Sequence, residues 1–454
     1  MAPPLRAGAS ARAIGHRDVL DVALPMILAN VTVPLVGIAD AAAVGRLDDP
    51  ASLAGVAVGA TVFSLLFTAL NFLRMGTTGL AAQAHGARDE AASLAILRQG
   101  LVVALGLSAL LVLLATPLRI VAFALISPEP AALAEASDYF DTRLLGAPAT
   151  LALFVLTGWF IGRGDGRSPL AIVLLVNGLN VVLDFAFVLG FGLAARGVAL
   201  ATVIAEYSGI ALGLWLALRA RRAAGAPARA AAPPWSQFLA VNLPLLLRTL
   251  ALMLCFAFLT AMGARFGSAV LAANALLLNF LYLASYALDG FANAAESLIG
   301  RAVGARDGSM LRRALGLSAQ WTLGVSLALS ALFWLVGPLL VDLMTTQAPL
   351  RALAREYLPW LVAVPLVGGW AFLFDGVFVG ATLTRQMRDT MLFAALAVYL
   401  PAWWVLQPLG NHGLWMAFLL FFAARGAAQA WVLWRLARRG GLLPALPIAT
   451  QQSQ

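Results

Sequence analysis

The sequence predicts an all-α integral membrane protein, with about twelve transmembrane helices in two six-helix parallel repeats. Three observations carry that prediction. Of 454 residues, 62% are hydrophobic and only 11% charged, with a mean hydropathy of +0.89, whereas a soluble globular protein carries roughly 25% charged residues. The apolar residues fall in runs of about 20, long enough to cross the roughly 30 Å hydrocarbon layer as helices. Short polar landmarks recur at a spacing close to 218 residues. So little charge cannot cover a globule of this size. An ordinary soluble enzyme, a disordered chain and a disulfide scaffold are excluded.

In order along the chain, the first six spans are expected at 19–44, 52–80, 94–116, 144–161, 169–191 and 197–218. The second six are expected at 238–262, 270–298, 314–341, 357–379, 391–406 and 413–436. Between the sets, "RARRAAGAPARAAAPP" at 219–234 is the one linker-like stretch, rich in Arg, Ala and Pro. It divides the chain into an N-terminal bundle (1–222), a cytoplasmic linker (223–234) and a C-terminal bundle (235–454). The segment before Arg17 has no apolar core of a cleaved signal peptide, so the first span itself is expected to direct insertion.

The repeat is internal and specific. "AHGARDEAA" after span two returns as "AVGARDGSM" after span eight, with Asp89 and Asp307 218 apart. Gly162 and Gly380 share the same spacing, Pro25 and Pro244 differ by 219, and Gly197 and Gly413 by 216. An even number of spans per half leaves both halves in one orientation, as in parallel repeats about an axis along the membrane normal.

All 30 basic residues are arginine, and against 21 acids they leave a net charge of +9. In a soluble chain this would suggest nucleic acid. Here the arginines sit in short loops, 20 on one side, seven on the other and three (Arg74, Arg248, Arg425) within spans. Basic residues gather in cytoplasmic loops, so both termini are expected in the cytoplasm.

Ionisable side chains at membrane depth are costly and mark function by default. The first half places Asp40 in span one, Asn177, Asn180 and Asp184 on one face of span five, and Thr202 and Glu206 in span six. Packed together, Asp40 and Asp184 favour holding a proton between them in a low-dielectric pocket. With Asn180 and Thr202, the same oxygens would also suit a hard cation such as sodium. Hydrogen bonds that merely join helices explain Asn177 and Thr202 equally well. In the second half, Arg248 in span seven is expected to neutralise Asp289 or Asp375, unless those acids form an ion site. Glu296, near a span end, is expected to face water, whereas the sequence leaves the facing of Glu206 open. The excess of acids inside the membrane favours cations.

Enzyme signals are missing from the chain. His16, His85 and His412 belong to no metal-binding helix motif, "GRGDGR" at 162–167 is followed by no GK[ST], and the single Cys255 cannot pair within the chain. No cofactor and no metal of certain placement is expected. The energy source is then an ion gradient, with H+ or Na+ as the coupling ion, or the gradient of the substrate itself.

Two six-helix halves, Asp40 near the end of span one and N-x-x-N-x-x-x-D in span five resemble the multidrug and toxic compound extrusion (MATE) family. "YALDGFANAAESLIGRAVGARDGS", "FLFDGVFVGATLTRQMRDTM" and "GNHGLWMAFLLFFAARG" are similar to its DinF branch in bacteria. The resemblance runs from about residue 17 to 439. It implies a secondary antiporter, not an enzyme, that exports amphipathic, cationic compounds by alternating access as a monomer in the bacterial inner membrane, with no nucleic-acid partner. It also implies a cation site at Asp40, Asn180, Asp184 and Thr202. A second family arrangement puts acids in spans seven and ten. Asp375 fits span ten, but span seven reads "LALMLCFAF" with no acid, which favours proton coupling through the first half. A sodium-coupled exporter, or a lipid-linked precursor flippase of the same superfamily, is the alternative; the flippase would need a strongly cationic cavity.

Overall fold

A computed structural model describes residues 14–47, 49–223 and 234–439, which are helical almost throughout and contain no strand. Arg6, Arg12, Arg229, most of the expected linker and the chain beyond 439 lie outside the described residues. The first half comprises α1 (His16–Val44), α2 (Pro50–Leu70), α3 (Phe72–Gly86), α4 (Glu90–Leu113), α5 (Ala115–Ile126), α6 (Pro130–Leu144), α7 (Ala147–Gly162), α8 (Arg167–Phe185) and α9 (Ala194–Ala223). The second comprises α10 (Trp235–Ala264), α11 (Ser268–Gly304), α12 (Gly308–Met344), α13 (Ala348–Gly380), α14 (Thr384–Leu392), α15 (Leu400–Leu406) and α16 (Gly410–Arg438).

Several expected spans are broken where the sequence suggested continuous helices. Asn71 separates α2 from α3 within one long span. A bend of 50° divides α6 from α7, which together make one crossing. The stretch Thr384–Arg438 is apolar over 55 residues, far longer than one crossing. It folds back on itself: the rings of Tyr399 and Phe418 lie 6.0 Å apart, whereas a straight helix would separate them by about 28 Å. Counted this way, with the last stretch as two, the described residues offer twelve spans long and apolar enough to cross a membrane.

Local chemistry explains the repeated GARD motif. In both copies the helix ends at a glycine and the arginine (Arg88, Arg306) takes a left-handed backbone, φ 58° and 53°. The aspartate then caps the next helix: Asp89 Oδ1 accepts from Ala92 N at 2.8 Å, and Asp307 Oδ1 from Ser309 N and Met310 N at 2.8 and 3.0 Å. The Met310 and Ser309 donors hold the Asp307 carboxyl below the usual carboxylate range.

The apolar core shows where the halves meet. One buried body joins Phe63, Leu151 and Trp159 of the first half to Phe238, Leu298, Ile299, Val379 and Met387 of the second. The other, with Cys255, Leu259, Phe333, Trp415 and Phe418, belongs to the second half alone. The second half joins the shared body mainly through residues near its arginine-rich turns, among them Phe238, Ile299, Val379 and Met387. There the contact is pseudo-symmetric. A Cβ on Gly86 would come 2.1 Å from the Arg301 carbonyl oxygen, and one on Gly304 would come 1.9 Å from that of Gln83. Residues 301 and 304 are the 218-spaced counterparts of 83 and 86. Only glycine permits this backbone approach. Gln83 Nε2 donates to Gly380 O and Thr382 Oγ1 at 2.9 and 3.1 Å, while its counterpart Arg301 packs against Gly164, the counterpart of Thr382.

Candidate functional site

Four of the expected first-half residues converge. Asp40 near the end of α1, Asn180 and Asp184 on α8 and Thr202 on α9 form one cluster, with Asp184 and Asn180 0% and 1% exposed. The two carboxyls lie within hydrogen-bonding reach of each other, and the Oδ1 atom of each is buried and has no hydrogen-bond partner among the described residues. Neighbours fix the Asn180 amide. Its nitrogen donates to Asp184 Oδ2 at 3.2 Å, and its oxygen accepts from Thr202 N and Oγ1 at 3.2 and 3.1 Å. A π-helical turn, Ala186–Gly190, begins two residues after Asp184; such widened turns interrupt regular helix often at functional positions.

Asn177 stands apart. It donates to Thr32 Oγ1 at 2.6 Å and joins α8 to α1, the helix-joining role the sequence left open. Asn30 crosses to the second half, donating to Tyr286 O at 3.3 Å.

Glu206 faces inward, one turn beyond Thr202. Its partner corrects the topology reading: Arg143, one of seven arginines assigned to loops, lies in α6 and is 6% exposed. The α6 helix carries it to membrane depth before the bend at Leu145–Gly146. Arg143 Nη1 and Nη2 donate to Glu206 Oε2 and Oε1 at 3.0 and 2.7 Å, Thr150 Oγ1 donates to Oε2 at 2.8 Å, and the guanidinium sits over Phe67 and Phe63. Spatial pairing, not spacing, reveals this group. The available sequence signal is the need of a buried Glu206 for a counter-charge.

The second half builds a different cluster. Arg248 of α10 and Arg425 of α16 both donate to Asp375 Oδ2, and Gln429 Nε2 donates to Oδ1 at 2.8 Å. Arg248 thus takes Asp375 rather than Asp289. The sequence placed Arg425 within a span without assigning it a partner and did not single out Gln429, although their four-residue spacing puts them on one face of α16. Asp289 is half-buried and makes no ion pair with Arg248 among the described residues. Glu296 does not face water: it is 2% exposed, with Arg74 Nη1 at 3.5 Å, and Arg74 also donates to Asn293 Oδ1 at 2.9 Å. The end of α11 runs into the contact between halves, which buries the position.

Comparison with known proteins fits this architecture. The MatE family model matches residues 25–186 and again 244–404. The chain belongs to the MATE family. It is 43% identical over 424 residues to DNA damage-inducible protein F of Escherichia coli (strain K12), covering 92% of each chain. Multidrug export protein MepA of Staphylococcus aureus (strain NCTC 8325 / PS 47) is 22% identical, with 87% of each covered. A solved outward-facing MATE family transporter of the MOP superfamily, linked in its description to multidrug resistance, has the same fold: TM-score 0.83 and 22% identity, over 93% of this chain and 96% of that one. The twice-matched model has the spacing of the repeat. This is a multi-pass membrane protein.

Proposed function

We propose that the protein is a secondary antiporter that exports amphipathic organic cations in exchange for protons, by alternating access between its halves. The observation that carries this reading is the contact of the Asp40 and Asp184 carboxyls. A hydrogen bond between two carboxyl groups needs a proton on one of them, and repulsion between two carboxylates opposes its loss. Asn180 supports a proton over sodium, because both ends of its amide are engaged, by Asp184 and by Thr202. Its oxygen is not turned toward a cation. Buried as it is, the pair would exchange its proton when the halves move, and a cationic substrate would compete for the carboxylate that deprotonation creates. The relatives named as an exporter and a transporter support this non-enzymatic role.

The test is efflux of a cationic dye from proteoliposomes. A pH gradient imposed without sodium should drive transport, and a sodium gradient at equal pH should not. Transport driven by sodium alone would refute the proton reading while leaving antiport in place. The same proposal puts the arginine-rich face in the cytoplasm and the protein in the bacterial inner membrane. A reporter fused after Arg439 should therefore read cytoplasm.

A further inference from the structure

On the membrane-facing side of the second half, at the arginine-rich end, a groove of about 480 Å³ opens between α10 and α14. Ser236, Leu239, Leu243 and Pro244 line one wall, and Arg385 and Arg388 the other. The wall on α10 is built for acyl chains. Leu239 and Leu243 are 56% and 58% exposed, and Leu247, Leu250 and Leu254 continue the exposed stripe along the helix. Trp235, whose amphipathic ring suits the headgroup level, stands exposed at the start of α10.

The other wall is cationic. Arg388 is held by Asp389, with Nε and Nη2 on Oδ1 at 2.8 and 2.6 Å. Arg385 is exposed and has no ion pair or hydrogen bond among the described residues. Both α10 and α14 begin at this level, so the positive ends of two helices add to the guanidinium. A charge at one end and an apolar track at the other match one kind of ligand.

We infer that the groove holds an anionic phospholipid, with its phosphate at Arg385 and Arg388 and a chain along the Leu239–Leu243 stripe. A zwitterionic lipid would bring a second cation beside an arginine that already lacks a partner; an anionic one supplies the missing charge. The opposite face of α10 carries Asn242 against Gly76 of α3, so the lipid braces one of the helices through which the second half touches the first. This inference is independent of substrate and coupling ion.

Native mass spectrometry of the delipidated full chain, titrated with phosphatidylglycerol or phosphatidylcholine, tests it. Phosphatidylglycerol should bind about five-fold more tightly, the value of one interfacial basic contact. Arg385→Gln should erase that preference and Arg385→Lys retain most of it. Arg312→Gln, on the same face but outside the groove, should leave it intact. Equal binding of the two lipids, or an equal effect of Arg312→Gln, would overturn the inference. So would displacement of phosphatidylglycerol by millimolar inorganic phosphate, which would mark a soluble-anion site.

Discussion

The two halves repeat one backbone and diverge in what they bury at the same level. At the 219 spacing of Pro25 and Pro244 in the same span, Asp40 is answered by Leu259, next to Phe258; Asp184 is answered at 218 by Ala402, and Thr202, at the 216 spacing of Gly197 and Gly413, by Phe418. Where the first half sets two carboxyls against an amide and a hydroxyl, the second sets Phe258 on Tyr399 at 5.4 Å and Tyr399 on Phe418 at 6.0 Å. Conversely, Asp375 and Arg425 of the second half correspond to Thr157 and Gly209 in the first. The glycine approach at Gly86 and Gly304 remains symmetric. Repetition is kept where the halves touch and given up where chemistry is done. One half holds two carboxyls with no cationic hydrogen-bond partner, and the other holds a carboxylate already neutralised by Arg248 and Arg425.

The largest expected effect separates those two kinds of charge. Asp40→Asn and Asp184→Asn should each lower proton-driven efflux at least about tenfold, 1.4 kcal/mol or more on the rate. Removing a buried charge without a cationic hydrogen-bond partner should leave detergent stability near wild type. Efflux assays and thermal unfolding on the same preparations check both statements. Normal pumping by either variant would reduce that carboxylate to a structural contact.

Asp375→Asn should behave the other way. It leaves Arg248 and Arg425 buried without their shared carboxylate, and removing one partner of a buried pair costs about 3–5 kcal/mol. A drop in melting temperature in detergent is the expected reading. If stability holds while sodium dependence of efflux changes, Asp375 belongs to an ion site and the division between the halves is wrong.

Much of this contrast was legible in the sequence, and its limits have physical causes. Helix count, repeat and the residues Asp40, Asn180, Asp184 and Thr202 follow from apolar run length and from polar types on one helical face. Arg143 escaped because an apolar-run reading ends a span where charge appears, whereas α6 carries that charge inward beside its partner. Glu296 escaped because distance from a span end says nothing about what covers it. Which acid Arg248 takes depends on the rotation of α10 against α11 and α13, and no spacing within one helix encodes that.

The symmetric part of the comparison is sharpened by Gly86→Ala and Gly304→Ala. Each added methyl group meets a carbonyl oxygen of the other half, and overpacking of this kind costs about 1–3 kcal/mol. That cost falls only on the state in which the halves touch at the arginine-rich face. Both variants should therefore raise the labelling rate of cysteines placed at that contact, and by similar factors. A large effect from one and none from the other would show that the pseudo-symmetry is not mechanical.

The smallest effect is expected at Tyr399, in the aromatic cluster that stands where the first half has its carboxyl pair. Its hydroxyl is buried and has no hydrogen-bond partner, while its ring packs on Phe258, Phe418 and Phe421. A buried polar group left unpaired costs about 1–3 kcal/mol, and Tyr399→Phe removes the group while keeping the ring. The variant should be unchanged or up to about 1 kcal/mol more stable, since part of the cost is relieved by local relaxation. Its efflux rate and pH dependence should match wild type. Thermal unfolding with a pH series of efflux reads both. A shifted pH profile would mean that the second half also handles a proton at this level, and the contrast between carboxyl pair and aromatic cluster would then describe two parts of one pathway.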